Sequence, residues 1–486
     1  MKKFIVGLLL TTLLWVFGIA HAVKEIALPE IGDSAGSIIS PKQEYQIGLA
    51  FFWRLQQSVD LIDDPEVVAY LQSLGYRLVA SSDAPGLPFT FFMIPDPRVN
   101  AFATPGGFIG INSGLILTSQ NEDEVASVIG HEIAHVTQRH IVRSFEKQSQ
   151  MNFPMMAAMI GAALLGAVDG KAGMAALMAV QAGGVQMQLD FTRANEKEAD
   201  NIGMLTLVRA GFDPRAMPNF FERLQHTSRF YSSDNEPPEF LRTHPVTENR
   251  IAEARGRAET YPVVRQVSDR LQFYLIREKL RVLATRDMRD LIQFYAHNLD
   301  AGSEVGQIAT RYGYALALLA DHKYTRARKA LQPLIDQDGD RLAYQLVLAD
   351  IEIAVGRLST ALHIYEENQK LYPDDQALSI KQSKALLQAR LPEEAVDLLE
   401  RQLLLGAPPR TIYKLLAKAE EARGNKSQSH RWYAEYYYIS GQLPRSADQL
   451  RIAADYAKGD EYQRARIASR LREVEYALSQ LEGFGK

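Results

Sequence analysis

Cysteine is absent from this chain of 486 residues, and neither sign of charge dominates it. Without cysteine the chain can form no disulfide, no thiolate zinc site and no cysteine nucleophile, so a metal site must use histidine and carboxylate ligands. With 54 basic and 58 acidic residues the formal net charge is −4, and we expect no nucleic-acid partner held by bulk electrostatics. The length exceeds one compact domain, which predicts two or three domains.

Long apolar runs are also scarce, and one of them lies at the N-terminus. Lys2 and Lys3 precede the apolar residues 4–19, which end at the small-x-small pattern Ala20-His21-Ala22. This order is typical of a secretory signal peptide. We therefore expect residues 1–22 to be cleaved after Ala22 and the mature chain to act in the bacterial periplasm. An uncleaved membrane anchor is the alternative.

A short motif, His131-Glu132-Ile133-Ala134-His135, predicts a metal site. Residues four apart share one face of a helix, and the pattern is the H-E-x-x-H of zinc hydrolases. Neutral imidazoles bind Zn²⁺ well, and a carboxylate beside them can take a proton from the attacking water. The alternative is a helix that happens to carry two surface histidines. His140 lies nine residues after His131, close to the opposite face of a continuous helix, so we do not expect it to bind the metal.

Two histidines leave the metal one protein ligand short. The metzincin class would need His at position 141 and Gly at position 138, where this chain has Ile141 and Gln138. A glutamate from a later helix is the other common source. Glu196 and Asp200 share a helix face, so Glu196 can bind the metal while Asp200 accepts the free ring N–H of a histidine ligand. Glu198 points about 200° away and is the less favoured ligand; a solvated helix face is the alternative for all three.

The second half of the chain repeats with a period of 34 residues, which is the signature of tetratricopeptide repeats. We therefore predict an α-solenoid over residues 261–486, with capping helices near 265–300 and 443–480 and a concave surface for protein partners. A generic helical bundle is the alternative. Three series of matching residues carry the period: Ala315, Ala349, Ser383 and Ala417; Ala327, Ala361, Ala395 and Ser429; Leu331, Tyr365, Leu399 and Tyr433.

Residues 150–188 are rich in methionine, alanine and glycine and contain seven of the twelve methionines. Two apolar runs, 154–168 and 172–185, flank a short charged turn, and each is short for a membrane span. A buried helical hairpin is one interpretation. The sharper interpretation is a mobile hairpin over the cleft, because methionine-rich surfaces re-pack around varied partners. Peripheral contact with a membrane is the third.

Four motifs in order resemble the M48 metallopeptidase family between about residues 40 and 255. They are Asn100-Ala101-Phe102 with Gly106-Gly107, His131-Glu132-x-x-His135, Glu196-x-x-x-Asp200, and His244-Pro245-x-x-x-x-Arg250. The resemblance implies a mostly α protein, in which residues 23–260 form a gluzincin-type α+β domain with a small sheet. It also implies one Zn²⁺ per chain, bound by His131, His135 and Glu196, with Glu132 as the general base.

His244 and Arg250 admit more than one interpretation. An ordinary surface His-Pro turn with an ion-paired arginine is the simplest. The resemblance instead implies that both lie near the metal and stabilise the oxyanion of the tetrahedral intermediate. We hypothesise a third role for His244, as a fourth metal ligand that shuts the enzyme off until it is displaced.

The layout of the whole chain is similar to periplasmic quality-control metalloproteases of Gram-negative bacteria. That resemblance implies proteolytic and chaperone-like action on unfolded or stalled outer-membrane β-barrel proteins, and contact between the repeats and the β-barrel assembly machinery. We expect an extended substrate strand to lie antiparallel to the edge formed by residues 108–111. The alternative is a non-proteolytic scaffold with a zinc-stabilised domain.

Overall fold

The computed structural model describes residues 39–146, 193–230, 239–262, 271–406 and 410–484. Helices dominate this part of the chain, and three short strands form one sheet. In the first half the elements are α1 (Pro41–Ser58), α2 (Pro65–Ala80), β1 (Thr90–Ile94), β2 (Ala101–Ala103), β3 (Phe108–Asn112), α3 (Ser113–Thr118), α4 (Glu122–Thr137), α5 (His140–Glu146), α6 (Arg193–Arg209), α7 (Ala216–Phe230), α8 (Glu239–Thr243) and α9 (Glu248–Ala258). In the second half they are α10 (Leu271–Ala284), α11 (Met288–His297), α12 (Glu304–Ala320), α13 (Tyr324–Gln337), α14 (Leu342–Ala354), α15 (Leu358–Leu371), α16 (Gln376–Gln388), α17 (Pro392–Leu404), α18 (Arg410–Ala422), α19 (Lys426–Ile439), α20 (Leu443–Tyr456) and α21 (Glu461–Phe484).

The sheet has the order β1-β3-β2, with β3 parallel to β1 and antiparallel to β2. The prediction that residues 108–111 form an edge was therefore wrong, because β3 is the central strand and pairs on both sides. Gly106 and Gly107 have φ angles of 76° and 85°, a left-handed conformation that glycine adopts without strain. The turn they make returns the chain beside β2 and leaves β2 at one edge.

The outer edge of β1 is closed by the chain itself. Gln72 Nε2 donates to the carbonyl of Phe91 over 3.1 Å, and the Tyr76 hydroxyl donates to the carbonyl of Phe89 over 3.1 Å. The backbone N–H of Ile62 donates to the carbonyl of Met93 over 2.9 Å. Strand edges protected in this way do not pair with further chains.

Helices α4 and α6 cross at two glycines, Gly130 and Gly203. A Cβ atom built on Gly203 would lie 2.9 Å from the backbone nitrogen of His131 and 3.0 Å from its Cα. Such an approach requires glycine, because any side chain would push the backbones apart. The crossing therefore brings the helix that carries His131 directly against the helix that carries Glu196.

The second half is a stack of helix pairs, as the 34-residue period predicted. The second helices of four successive pairs begin at Tyr324, Leu358, Pro392 and Lys426, each 34 residues after the last. The small residues of the first two series are buried between helices. The structure confirms a helical repeat region behind a domain with a small sheet; the predicted boundary at residues 260/261 stays a prediction.

The repeats pack on the first domain through buried charges. Lys279 of α10 and Lys381 of α16 approach Glu66 Oε1 of α2 to 2.5 and 3.3 Å, and Lys381 also pairs with Asp350 of α14 at 2.6 Å. Burial alone would raise the pKa of Glu66, but the two lysines outweigh it and lower that pKa. This buried ion pair fixes how the repeats pack on the first domain, because removing either partner would leave a buried charge without a counter-charge.

Two predicted segments lie outside the described residues. These are the signal peptide 1–22 and the methionine-rich segment 150–188. Among the helices of the described ranges, none has the length and apolar character needed to cross a membrane.

Candidate metal centre

Helix α4 places His131, Glu132 and His135 in the interior of the first domain. The Asn121 side chain caps the helix by accepting from the backbone N–H of Glu124, which satisfies one of the N–H groups that a helix start leaves free. The side chains of the three motif residues are buried, with at most 1% of each residue exposed. They are therefore not the surface histidines of the alternative interpretation.

Four side chains converge where α4, α6 and the residue after α8 meet. One donor atom from each of His131, His135, Glu196 and His244 lies within 4.8 Å of the others. The Nε2 atoms of His131 and His135 are 3.0 Å apart, and Glu196 oxygens lie 3.6 and 3.5 Å from them. His244 Nδ1 lies 3.4 Å from His131 Nε2 and 3.1 Å from Glu196 Oε1.

These separations fit a tetrahedral zinc ion. Zn–N bonds of about 2.0–2.1 Å place tetrahedral ligand atoms about 3.3–3.4 Å apart, and the five distances lie around that value. Burial, together with nearby His131 and His244, lowers the pKa of His135 well below its usual range, which favours the neutral, ligating form. The donor set is thus the one that zinc prefers in a protein without cysteine.

Asp200 and Arg250 support this cluster from behind. Asp200 Oδ1 lies 3.0 Å from His131 Nδ1, on the ring nitrogen that faces away from the other donors. Arg250 donates to both oxygens of Asp200 at 2.8 Å and pairs with Glu196 Oε2 at 2.8 Å. Burial alone would raise the pKa of Asp200, but hydrogen bonds from His131 and Arg250 outweigh it and lower the pKa to about 2. The ionised carboxylate holds His131 in the tautomer that leaves Nε2 free to ligate.

Glu132 lies beside the cluster with one oxygen uncommitted. Its Oε1 accepts no hydrogen bond from the described residues, and the nearest His244 nitrogen, Nε2, is 3.5 Å away. Burial raises the pKa of Glu132, assisted by the charge of Glu196. The backbone of Ala103 in β2 hydrogen-bonds to the same carboxylate, so Glu132 is poised between the metal ligands and the sheet edge. A carboxylate with a raised pKa suits a general base near neutral pH.

His244 is held beside the other three donor residues by α8 and by ring packing. Its backbone N–H donates to the carbonyl of Phe240 over 2.8 Å, and the two rings stack with centroids 5.0 Å apart. Burial alone would lower the pKa of His244, but Glu196 and Glu132 outweigh it and raise that pKa. The guanidinium of Arg250 donates to Asp200, Glu196 and the carbonyl of Pro245. A role of Arg250 in stabilising the oxyanion therefore stays a prediction.

His140 is the residue whose position the sequence did not indicate. It is not one of the four converging residues, as expected, but its Nδ1 lies 2.9 Å from His135 Nδ1. Its Nε2 lies 3.1 Å from Glu198 Oε2. The helical spacing failed because α4 ends at Thr137 and Arg139, with φ of 53°, turns the chain. No glycine or proline marks that break in the sequence.

Comparison with known proteins agrees with this geometry. The sequence profile of peptidase family M48 matches residues 65–258, and that of the coatomer epsilon subunit matches residues 303–410, within the repeats. The chain belongs to peptidase family M48 and is a zinc metalloendopeptidase by class, as the motifs predicted.

Two relatives match nearly the whole chain, and a third matches part of it. The beta-barrel assembly-enhancing protease of Escherichia coli strain K12 is 36% identical over 96% of this chain and 95% of its own length. The protein of that name from Yersinia pestis is 34% identical over 92% and 91%. The mitochondrial metalloendopeptidase OMA1 of Arabidopsis thaliana is 31% identical over 39% of this chain and 36% of its own length.

Proposed function

We propose that this chain is a periplasmic zinc endopeptidase that degrades unfolded or stalled outer-membrane β-barrel proteins and also assists their assembly. The names of its full-length relatives and the signal-like N-terminus support this role and place. The observation that carries the catalytic part is the geometry at Glu132. Four donor atoms lie within 4.8 Å of one another, and beside them is a buried carboxylate oxygen with no hydrogen bond from the described residues.

The reaction follows from the placement of the side chains. His131, His135 and Glu196 would hold the zinc ion, which would supply a water acidic enough to act as a nucleophile near neutral pH. Glu132 Oε1 accepts the proton of that water, and its raised pKa lets it return the proton to the leaving amine. Asp200 keeps His131 in its ligating tautomer throughout, and Arg250 holds Asp200 and Glu196 in place.

The substrate strand adds to β2. Strand β3 is central. Two carbonyls of β1 accept hydrogen bonds from Gln72 and Ile62, and the carbonyl just before β1 accepts one from Tyr76. In the antiparallel ladder between β2 and β3, Thr104 N–H donates to the Phe108 carbonyl and Asn112 N–H to the Asn100 carbonyl. By alternation, the backbone groups of Ala101 and Ala103 face away from β3. The Ala103 N–H already donates to Glu132, so an added strand would pair with the Ala103 carbonyl and with the backbone groups of Ala101, beside Glu132. Cleavage therefore requires extended polypeptide.

We propose that His244 holds the site closed. Its Nδ1 lies 3.4 Å from His131 Nε2, and its Nε2 lies 3.5 Å from Glu132 Oε1. A water that attacks the substrate would need this space. A client would then have to displace His244 before hydrolysis begins.

The repeats would recruit the β-barrel assembly machinery, and residues 150–188 would contact the client over the cleft or a membrane surface. Helix α2 packs against α16 and α10 and carries Glu66 into the buried ion pairs with the repeats. A partner would therefore bind a face of the helical repeats that α2 does not cover. Retention of the purified machinery by the full-length chain, and its loss from a variant altered only in the repeats, would support this recruitment.

The test is turnover of a urea-denatured β-barrel outer-membrane protein by the purified, zinc-loaded chain. Glu132→Gln should abolish peptide-bond cleavage and leave zinc binding intact, since only the base is lost. His244→Ala should cleave faster than the wild type if His244 is the latch, and more slowly if it stabilises the oxyanion. Unchanged turnover in Glu132→Gln would overturn the protease mechanism. A wild type that improves folding of the client without cutting it would favour the scaffold instead.

A further inference from the structure

His140 and Glu198 form a second support of the metal centre besides the one that Asp200 forms; the Glu198 side chain is 35% exposed. His140 is fully buried and starts α5, while Glu198 lies on α6 between Glu196 and Asp200. Glu198 also pairs with Arg143 Nη1 at 3.3 Å. Both nitrogens of the His140 ring are engaged, one by His135 and one by Glu198.

The contacts determine where each ring proton sits. The Glu198 carboxylate can only accept, so the His140 nitrogen that faces it, Nε2, must carry the proton. A neutral His140 then has a lone pair on Nδ1, which faces His135 Nδ1 at 2.9 Å. His135 must in turn donate from its Nδ1, and this leaves His135 Nε2 unprotonated. Nε2 is the atom that faces His131 and Glu196 in the cluster.

We propose that His140 is a positioning residue for the metal ligand His135, and that Glu198 sets the tautomer of both rings. The inference rests on the proposed zinc site and deepens it. The reverse arrangement would have His140 donate from Nδ1, which would put the His135 proton on Nε2 and block ligation. Two carboxylates thus set the tautomers of the two histidines of the motif. Asp200 acts directly on His131, and Glu198 acts on His135 through the imidazole of His140.

The experiment measures the zinc dissociation constant of the full chain by competition with a chelator. His140→Phe keeps a planar ring but cannot accept a hydrogen bond, so its zinc affinity should fall about 10- to 100-fold, as for other supports of ligand histidines. His140→Asn puts an amide oxygen near the position of Nδ1 and should restore most of the affinity. His226→Phe, at an exposed histidine of α7 that is not one of the four converging residues, is the control and should bind zinc like the wild type.

A spectroscopic readout tests the protons themselves. In the metal-free chain labelled with ¹⁵N-histidine, His140 should show the Nε2–H tautomer and His135 the Nδ1–H tautomer, with resonances assigned from His140→Asn and His135→Asn. Wild-type affinity in His140→Phe, equal losses in the Phe and Asn variants, or an Nδ1–H tautomer on His140 would each overturn the inference. A wild-type chain that binds no zinc would instead contradict the proposed function.

Discussion

The contact between Gly203 and His131 makes a quantitative prediction about the metal site. In Gly203→Ala the new Cβ would start 2.9 Å from the His131 nitrogen, 3.0 Å from its Cα and 3.1 Å from the Gly130 carbonyl carbon. All three atoms are backbone, so no side chain can rotate away. Comfortable carbon contacts begin near 3.5 Å, and α4 and α6 must separate by about half an ångström.

That separation matters more for zinc than for folding. Overpacking costs about 1–3 kcal/mol, and replacing a helical glycine returns about 0.5–1 kcal/mol, so stability should fall by about 1–2 kcal/mol. Zinc sites, however, tolerate ligand displacements of only about 0.2 Å. Because Glu196 moves with α6 while His131 and His135 move with α4, the affinity for zinc should fall by at least about tenfold.

The assay pairs urea unfolding of the metal-free chain with zinc titration against a chelator. Gly256→Ala in α9 is the matched control, since a Cβ there meets no atom within 4 Å and should leave zinc binding unchanged. If Gly203→Ala unfolds at the wild-type urea concentration and binds zinc with wild-type affinity, the crossing does not set the distance between the ligands.

Three further predictions follow from the buried charges. Asp200→Asn should weaken zinc binding by about 10- to 100-fold, measured by calorimetry, because the amide holds the His131 tautomer less firmly; unchanged affinity would contradict that role. Glu66→Gln should lower the free energy of unfolding by about 3–5 kcal/mol, whereas Glu367→Gln, an exposed partner of Lys370, should leave it close to the wild-type value. Because the folded-state pKa of Glu66 lies below its ordinary 4.5, its contribution is present above that pH and is lost as the pH falls through the folded-state pKa. Urea midpoints of the wild type should therefore fall more steeply in acid than those of Glu66→Gln, and parallel curves would refute the assignment.

Local spacing explains which features could be predicted from the sequence. His131, Glu132 and His135 share one turn of one helix, as do Glu196 and Asp200, so their relative directions follow from helix geometry alone. The repeats are equally local, since each pair buries its small residues against the next pair along the chain. The two ligand motifs and the repeat stack were accessible for this reason, whereas the M48 domain was indicated by resemblance to a family.

The path of the chain between consecutive helices and strands could not be predicted from the sequence and is seen only in the tertiary structure. The spacing rule for His140 assumed a continuous helix, and the turn at Arg139 instead brings its ring onto His135. The edge assignment for residues 108–111 failed because strand order depends on pairing partners and not on the strand's own residues.

The sequence by itself determined the chemistry of this protein: histidine and carboxylate ligands, a base beside them and a repeat period behind them. Tertiary structure decided how that chemistry is supported. Lys279 meets Glu66 across 213 residues and His244 meets His131 across 113, and no local pattern encodes such pairs. Their positions follow from the packing of whole helices, because burying a charge or a ring is stable only where a distant partner arrives to meet it.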